Sequence, residues 1–170
     1  MSILWRSLAR RVAGQRTLFV MRPSTLAIQL LTDPAALASL AVEATLSGHG
    51  MVTRLLAEWS TGENRFDRPG ERSYIAMLDG NICGVCGLNV DPFAGDGSVG
   101  RVRRLYVSTA VRRRGVGSAI MAQLMRDALG RFRELNLRTH DAGASAFYVA
   151  VGFSPVSGVH HCTHRRSVVA

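Results

Sequence analysis

From residue 26 onward the chain alternates between two hydrophobic rhythms. Short apolar runs have strand character, and longer stretches carry apolar residues three and four apart. The run 26–31 predicts a first strand. Thr32-Asp33-Pro34 then supplies an N-cap followed by proline, so the alanine- and leucine-rich stretch to Leu46 predicts a helix ending near Gly48. A second helix is predicted over 51–59, with Leu55, Leu56 and Trp59 on a shared face, followed by a polar loop over 60–72 that would roof one side of a cleft. Residues 73–78 and 81–90 are β-rich and flank Asp79-Gly80, a strong hairpin signal. A glycine-rich loop over 91–100 leads into the apolar run 102–107 and then an Arg/Gly turn. Ile120, Met121, Leu124 and Ala128 give the buried stripe of a helix over 118–129. A strand over 135–139, a helix over 142–151 and closing strands over 153–156 and 161–165 complete the pattern. Antiparallel strands followed by a strand-helix-strand unit predict an α/β (α+β) fold: a mixed, mostly antiparallel central sheet flanked by helices.

Residues 1–22 stand apart from this domain, which is expected to span 23–170. Leu4, Trp5, Leu8 and Val12 share a helical stripe with Arg6, Arg10 and Arg11 elsewhere, which fits either a short basic amphipathic helix or a disordered lead-in. Charge sharpens the division. The chain carries a net +9, every basic residue is arginine, and the first 22 residues hold five arginines and no acidic residue. More than half of the excess therefore belongs to the extension. Three cysteines make no disulfide framework, and no cleavable secretory signal is evident, so a cytoplasmic location is expected. No apolar run approaches the length of a membrane span, and stable membrane insertion is not expected.

The most informative chemistry lies in Arg112-Arg113-Arg114-Gly115-Val116-Gly117, between an apolar strand and a helix start. Glycines let the main chain approach a ligand closely, and the free N–H groups of a first helical turn favour an anion. Three arginines add charge. The segment predicts a pyrophosphate cradle. A second candidate, Cys83-Gly84-Val85-Cys86 with His160, His161, Cys162 and His164, has the composition of a zinc set. On a regular strand residues 83 and 86 face opposite sides, so small core cysteines are expected and no metal.

Arg104-Leu105-Tyr106-Val107 followed by Arg112-x-x-Gly115-x-Gly117 resembles the acetyl-coenzyme A signature of the GNAT superfamily of N-acetyltransferases. Leu137-Arg138-Thr139, Ala144-x-x-Phe147-Tyr148 and Gly152-Phe153 resemble that family's second conserved block. The resemblance is firm over 73–153 and looser from residue 26. It implies a sheet splayed between strands 4 and 5, with acetyl-coenzyme A as co-substrate and a small-molecule or peptide amine as acceptor. Leu105, Tyr106, Val107, Arg112, Arg113, Arg114, Gly115, Val116, Gly117, Ser118, Asp141 and Phe147 would line the cofactor site. The Val107 N–H would stabilise the oxyanion, and Tyr148 would be the general acid. A homodimer is compatible with it.

Two departures stand out. Relatives often place a glutamate early in the fourth strand, near Arg101 or Arg103 here, and arginine is no general base at neutral pH. Asp141 stands where relatives often carry asparagine. A water relay from Asp141, His140 or Glu71, or an amine arriving neutral, would replace the missing base. The lost glutamate also leaves open a catalytically weak acyl-coenzyme A sensor. The ten arginines against two acidic residues between Arg101 and Arg138 raise a nucleic-acid-binding module as a further alternative. Without interleaved exposed aromatics no nucleic-acid partner is expected.

Overall fold

The computed structural model describes residues 24–168. The proposed extension therefore lies outside the described residues. Strand β1 (Leu26–Leu30) leads to a 3-10 turn (Pro34–Leu37) that runs into helix α1 (Ala38–Leu46), followed by α2 (Met51–Thr61). Strands β2 (Arg72–Leu78), β3 (Asn81–Val90) and β4 (Val99–Val107) come next, then α3 (Val116–Ala128), β5 (Glu134–Leu137) and α4 (Ala142–Ala150). Strands β6 (Ser154–Pro155) and β7 (His164–Ser167) close the fold. The sheet order is β1-β2-β3-β4-β5-β7-β6, antiparallel throughout except for the parallel β4–β5 pair.

Local chemistry accounts for the element ends. Asp33 accepts a hydrogen bond from the Ala35 N–H at 2.9 Å with Pro34 next in line, but the first turn winds as 3-10, so α1 itself begins only at Ala38. Asp79 and Gly80 both adopt positive φ, 51° and 82°, as a tight hairpin turn requires. The helix after the Arg/Gly turn starts at Val116, two residues earlier than its apolar stripe suggested, because Gly115 at φ 80° serves as its N-cap.

Strand alternation splits the core between the two sheet faces. On one face Leu88, Val102 and Leu135 pack with Ile120, Met121 and Leu124 of α3. On the other, Val85 and Tyr106 pack with Leu37, Leu40 and Leu55 beneath α1 and α2.

The cysteines are core residues as expected, but their opposite facing needs correction. Cys83 and Cys86 both lie in the α3-side core, because β3 bulges: Ala76 opposes Gly84 while Met77 opposes Ile82, leaving Cys83 as the extra residue. One inserted residue turns an odd separation into a shared face. All three cysteines are buried and free.

Gly87 holds a close approach between sheet and loop. A Cβ there would fall 2.1 Å from the Phe66 ring, which is buried on the α2 side. Gly87→Ala is expected to cost about 1–3 kcal/mol by overpacking. Denaturant unfolding measures this, and an unchanged midpoint would show that the Phe66 loop yields freely.

Candidate active site

β4 and β5 pair over three rows only, Val99 with Glu134, Gly100 with Leu135 and Arg101 with Asn136. Beyond Arg101 the strands part, and β4 runs on to Val107 paired with β3 but not with β5. The parting coincides with a bulge in β4. Its partners step from Gly87↔Arg103 to Val85↔Tyr106, so Arg104 and Leu105 together oppose the single residue Cys86. Arg104 takes φ 60°, a rare conformation outside glycine, as the bulged residue. The Ser108 N–H donates to the Cys83 carbonyl at 2.8 Å. Alternation along the strand then turns the Val107 N–H and C=O away from β3 and into the split. The Val107 carbonyl accepts from Arg112 Nε at 3.0 Å.

The sequence-predicted strand residues divide between the two faces. Leu105 and Val107 are half-buried against the α3-side core. Tyr106 turns its ring to the α1 side, edge-on to His49 with centroids 5.9 Å apart, and donates its hydroxyl to Glu43 at 3.2 Å. Glu43 also accepts from the Thr109 N–H at 2.8 Å. Burial would raise its carboxyl, but these hydrogen bonds prevail and hold it below the ordinary value. Sequence reasoning missed this anchor of the loop leaving β4, since Glu43 is one polar position on an otherwise ordinary helix.

At the open end of the split, Arg113 at φ 62° and Gly115 at φ 80° curl the backbone into the start of α3. No side chain caps that helix, which leaves the first-turn N–H groups of Val116, Gly117 and Ser118 without a side-chain acceptor. Arg112, Arg113 and Arg114 are exposed around them. The helix dipole and the curled N–H groups favour an anion at this end, beside three exposed arginines of which Arg112 lies over the Tyr106 ring, 5.5 Å from its centre. A Cβ on Gly117 would stand 3.2 Å from the Phe147 ring, so this glycine also lets α3 and α4 close together.

α4 lines the other side of the split. Asp141 caps it, its Oδ1 accepting the Ala144 N–H at 2.6 Å. Tyr148 is buried at 8% exposure between Phe147 and Phe153, with centroids 5.3 and 5.7 Å away. Burial, then the nearby Cys86 thiol, pushes its hydroxyl far above the usual phenol range. Tyr148 therefore stays protonated through the physiological range.

On the α2 face a polar row crosses four strands in register: Asn89, Arg101, Asn136 and Arg165. Asp91 binds its middle, 3.4 Å from Arg101 and accepting from Asn136 Nδ2 at 2.9 Å. One level further along β4 stands Glu58 of α2, 4% exposed. It is bonded to Arg104, lies 3.0 Å from Arg54 and 4.0 Å from Arg103, and has Oε2 without a partner. Burial would raise its carboxyl, yet Arg104, then Arg103 and Arg54, hold it below the ordinary value. Its signal in the sequence was a charge three residues after Leu55, itself three after Val52, on the buried stripe of α2.

The sequence-predicted relay groups are otherwise engaged. Glu71 accepts the Val90 N–H at 3.0 Å, Asp141 caps α4, and His140 Nε2 accepts from Arg138 Nε at 3.1 Å.

The site is thus a mixed sheet that splits between two parallel strands, with an uncapped helix N-terminus beside exposed arginines at the open end. Residues 56–153 match the Acetyltransferase (GNAT) family, and the chain belongs to it. The chain is similar to a solved structure from Exiguobacterium sp. 255-15 provisionally described as an acetyltransferase, at 25% identity and TM-score 0.74, over 84% of this chain and 93% of that one. A GNAT-family acetyltransferase from Staphylococcus aureus Mu50 shares the fold at 15% identity and TM-score 0.68, over 85% and 100%. So does a ribosomal-protein-alanine N-acetyltransferase from Brucella melitensis, at 18% identity and TM-score 0.63, over 83% and 99%. No curated protein sequence matches the chain significantly. Among the described residues no helix is long and apolar enough to cross a membrane.

Proposed function

We propose that the protein transfers the acetyl group of acetyl-coenzyme A to a primary amine by direct attack within the β4–β5 split. The uncapped start of α3 beside Arg112, Arg113 and Arg114 is the observation that carries the donor assignment. These groups fit a pyrophosphate, and the half-buried walls formed by Leu105, Val107 and Phe147 fit the uncharged arm that would follow. Acetyl-coenzyme A supplies the thioester. The Val107 N–H, freed from β3, faces the position where negative charge develops on the carbonyl oxygen as the new C–N bond forms. As the C–S bond breaks, the former amine nitrogen sheds its second proton to water, and Tyr148 gives its proton to the departing sulfur and recovers one from solvent.

The α2-side arginines supply a reason for the absent base. Five guanidiniums near the vertex disfavour a further positive charge, so an amine entering there loses its proton to water more readily than in bulk solvent. Glu58, bonded to Arg104 and Arg54, serves to hold these arginines, and its depressed carboxyl makes it a poor proton acceptor.

Acetyl-coenzyme A at 100 times its dissociation constant is expected to stabilise the fold by about 2.7 kcal/mol. For a domain of this size that is a rise of roughly 5–10 °C in melting temperature. Thiol release with a panel of amines then tests turnover. No thermal shift would overturn the donor assignment, and a shift without thiol release for any amine would mark a binding module in place of an enzyme.

A further inference from the structure

The protein carries two separate groups of arginines, and only one faces the donor's phosphates. Arg112, Arg113 and Arg114 follow the end of β4. Arg103 lies four residues before that end, roughly 10 Å away, since the bulge lets these residues span only the three steps from Gly87 to Gly84 at about 3.3 Å each, and its guanidinium turns toward Glu58. No phosphate seated at the α3 N-terminus reaches it.

The register shows what Arg103 flanks. Arg101 and Asn136 form the last paired row of the split. Two residues further on each strand stand Arg103 and Arg138, so arginines straddle the vertex on both sides. Contacts place Arg138 on the same face as Arg101. Its guanidinium meets His161 Nδ1 at 2.8 Å, His161 stacks on Phe93 with centroids 4.2 Å apart, and Arg101 lies 4.9 Å from that ring centre.

This face is under-neutralised. Arg54, Arg101, Arg103, Arg104 and Arg138 share two carboxylates, Glu58 and Asp91. Arg103 is partly exposed, and its nearest carboxylate oxygen is 4.0 Å away, beyond hydrogen-bonding reach. Exposed Arg138 has no carboxylate within 4.0 Å among the described residues. Two titrating groups report the same field. Burial and then the charge of Arg104 lower Arg103, with Arg101 and Arg54 adding to it. Partial burial, then His160, Arg138 and Arg101, lower His161.

We infer that the acceptor is a small amine carrying a carboxylate close to the amine, of the α-amino-acid class, with Arg103 and Arg138 as the residues that hold the carboxylate. The inference rests on the acetyl-transfer reading above. A polyamine or a basic peptide would add positive charge to a site that already has too much. A carboxylate offsets it and engages a planar guanidinium with two parallel hydrogen bonds. Its amine is then held at the vertex end of the split, facing along it toward the acetyl group.

The test compares amino acids with their decarboxylated partners: leucine against isopentylamine, and phenylalanine against 2-phenylethylamine. Thiol release with acetyl-coenzyme A gives kcat/KM, and melting temperature with each compound alone gives binding independent of turnover. The amino acid is expected to exceed its partner by roughly 10–100-fold, the range for a hydrogen bond to a charged group. Arg103→Gln and the exposed Arg138→Gln should each cut that ratio by about tenfold. Equal or faster reaction of the decarboxylated amines overturns the inference. So does a ratio untouched in both variants, or acetylation of acidic peptide N-termini with free amino acids inert. If no amine releases thiol, carboxylate-dependent thermal shifts that Arg103→Gln abolishes sustain the carboxylate-binding site while acetyl transfer falls. Absence of those shifts overturns both.

Discussion

Tyr148→Phe is expected to lower kcat by roughly 10²–10³-fold, within the range for loss of a general acid, and to leave the dissociation constant of acetyl-coenzyme A within about threefold of the parent. The asymmetry follows from what the substitution removes. Phenylalanine keeps the ring contacts to Phe147 and Phe153 and the approach to His164, so α4 stays seated and the split keeps its width. Only the hydroxyl disappears, and its proton matters when sulfur leaves. Stopped-flow thiol release beside calorimetric titration of acetyl-coenzyme A separates the two quantities. Because burial holds the phenol protonated, the parent's rate should show no falling limb from this residue between pH 6 and about 10, the unperturbed tyrosine value. Unchanged turnover in the variant would assign Tyr148 to packing alone.

Removing Glu58 carries the largest expected stability effect. Glu58→Ala leaves Arg104, with 14% of its side chain exposed, and Arg103, with 25%, facing one another without the carboxylate between them. Breaking a buried pair from one side costs about 3–5 kcal/mol, because the remaining charge is uncompensated. Denaturant unfolding at pH 7 measures it, and a loss below about 1 kcal/mol would place the pair in the class of solvent-screened surface bridges. The pH dependence has a definite sign. The folded carboxyl lies below its ordinary value of 4.5, so its contribution is present above 4.5 and disappears as pH falls through the lowered folded value. Glu58→Gln should therefore flatten the acid side of the stability curve as well as lowering its plateau. A parallel downward displacement with the same acid slope would show that other carboxylates govern acid unfolding.

The two predictions draw on residues of different visibility. Tyr148 stood out because its helix follows a strand of recognisable pattern and precedes Gly152-Phe153, all between residues 135 and 153. Glu58 did not stand out. Its neighbours Leu56 and Trp59 suggested a different buried face, and nothing local says that a glutamate on α2 will meet arginines 45 and 46 residues later on β4. Cys83 shows the limit from the other side. Strand alternation is a sound rule until one inserted residue reverses it, and an insertion in β3 depends on what β2 and β4 require of their shared ladder.

What the chain determined by itself was local and periodic: the strand and helix identities, the Asp79-Gly80 hairpin, the glycine-rich start of α3 and the family to which these belong. Those properties rest on φ, ψ preferences and on which side chains fall on one face, and short stretches of sequence encode both. Tertiary structure alone decided at which row β4 and β5 part, which way Arg104 points from its bulge, that Arg103 and Arg138 flank one vertex, and that Glu58 sits among the arginines. Each of these depends on register between strands distant in sequence. Register is set by packing on both sheet faces at once, where a shift of one residue exchanges core for solvent.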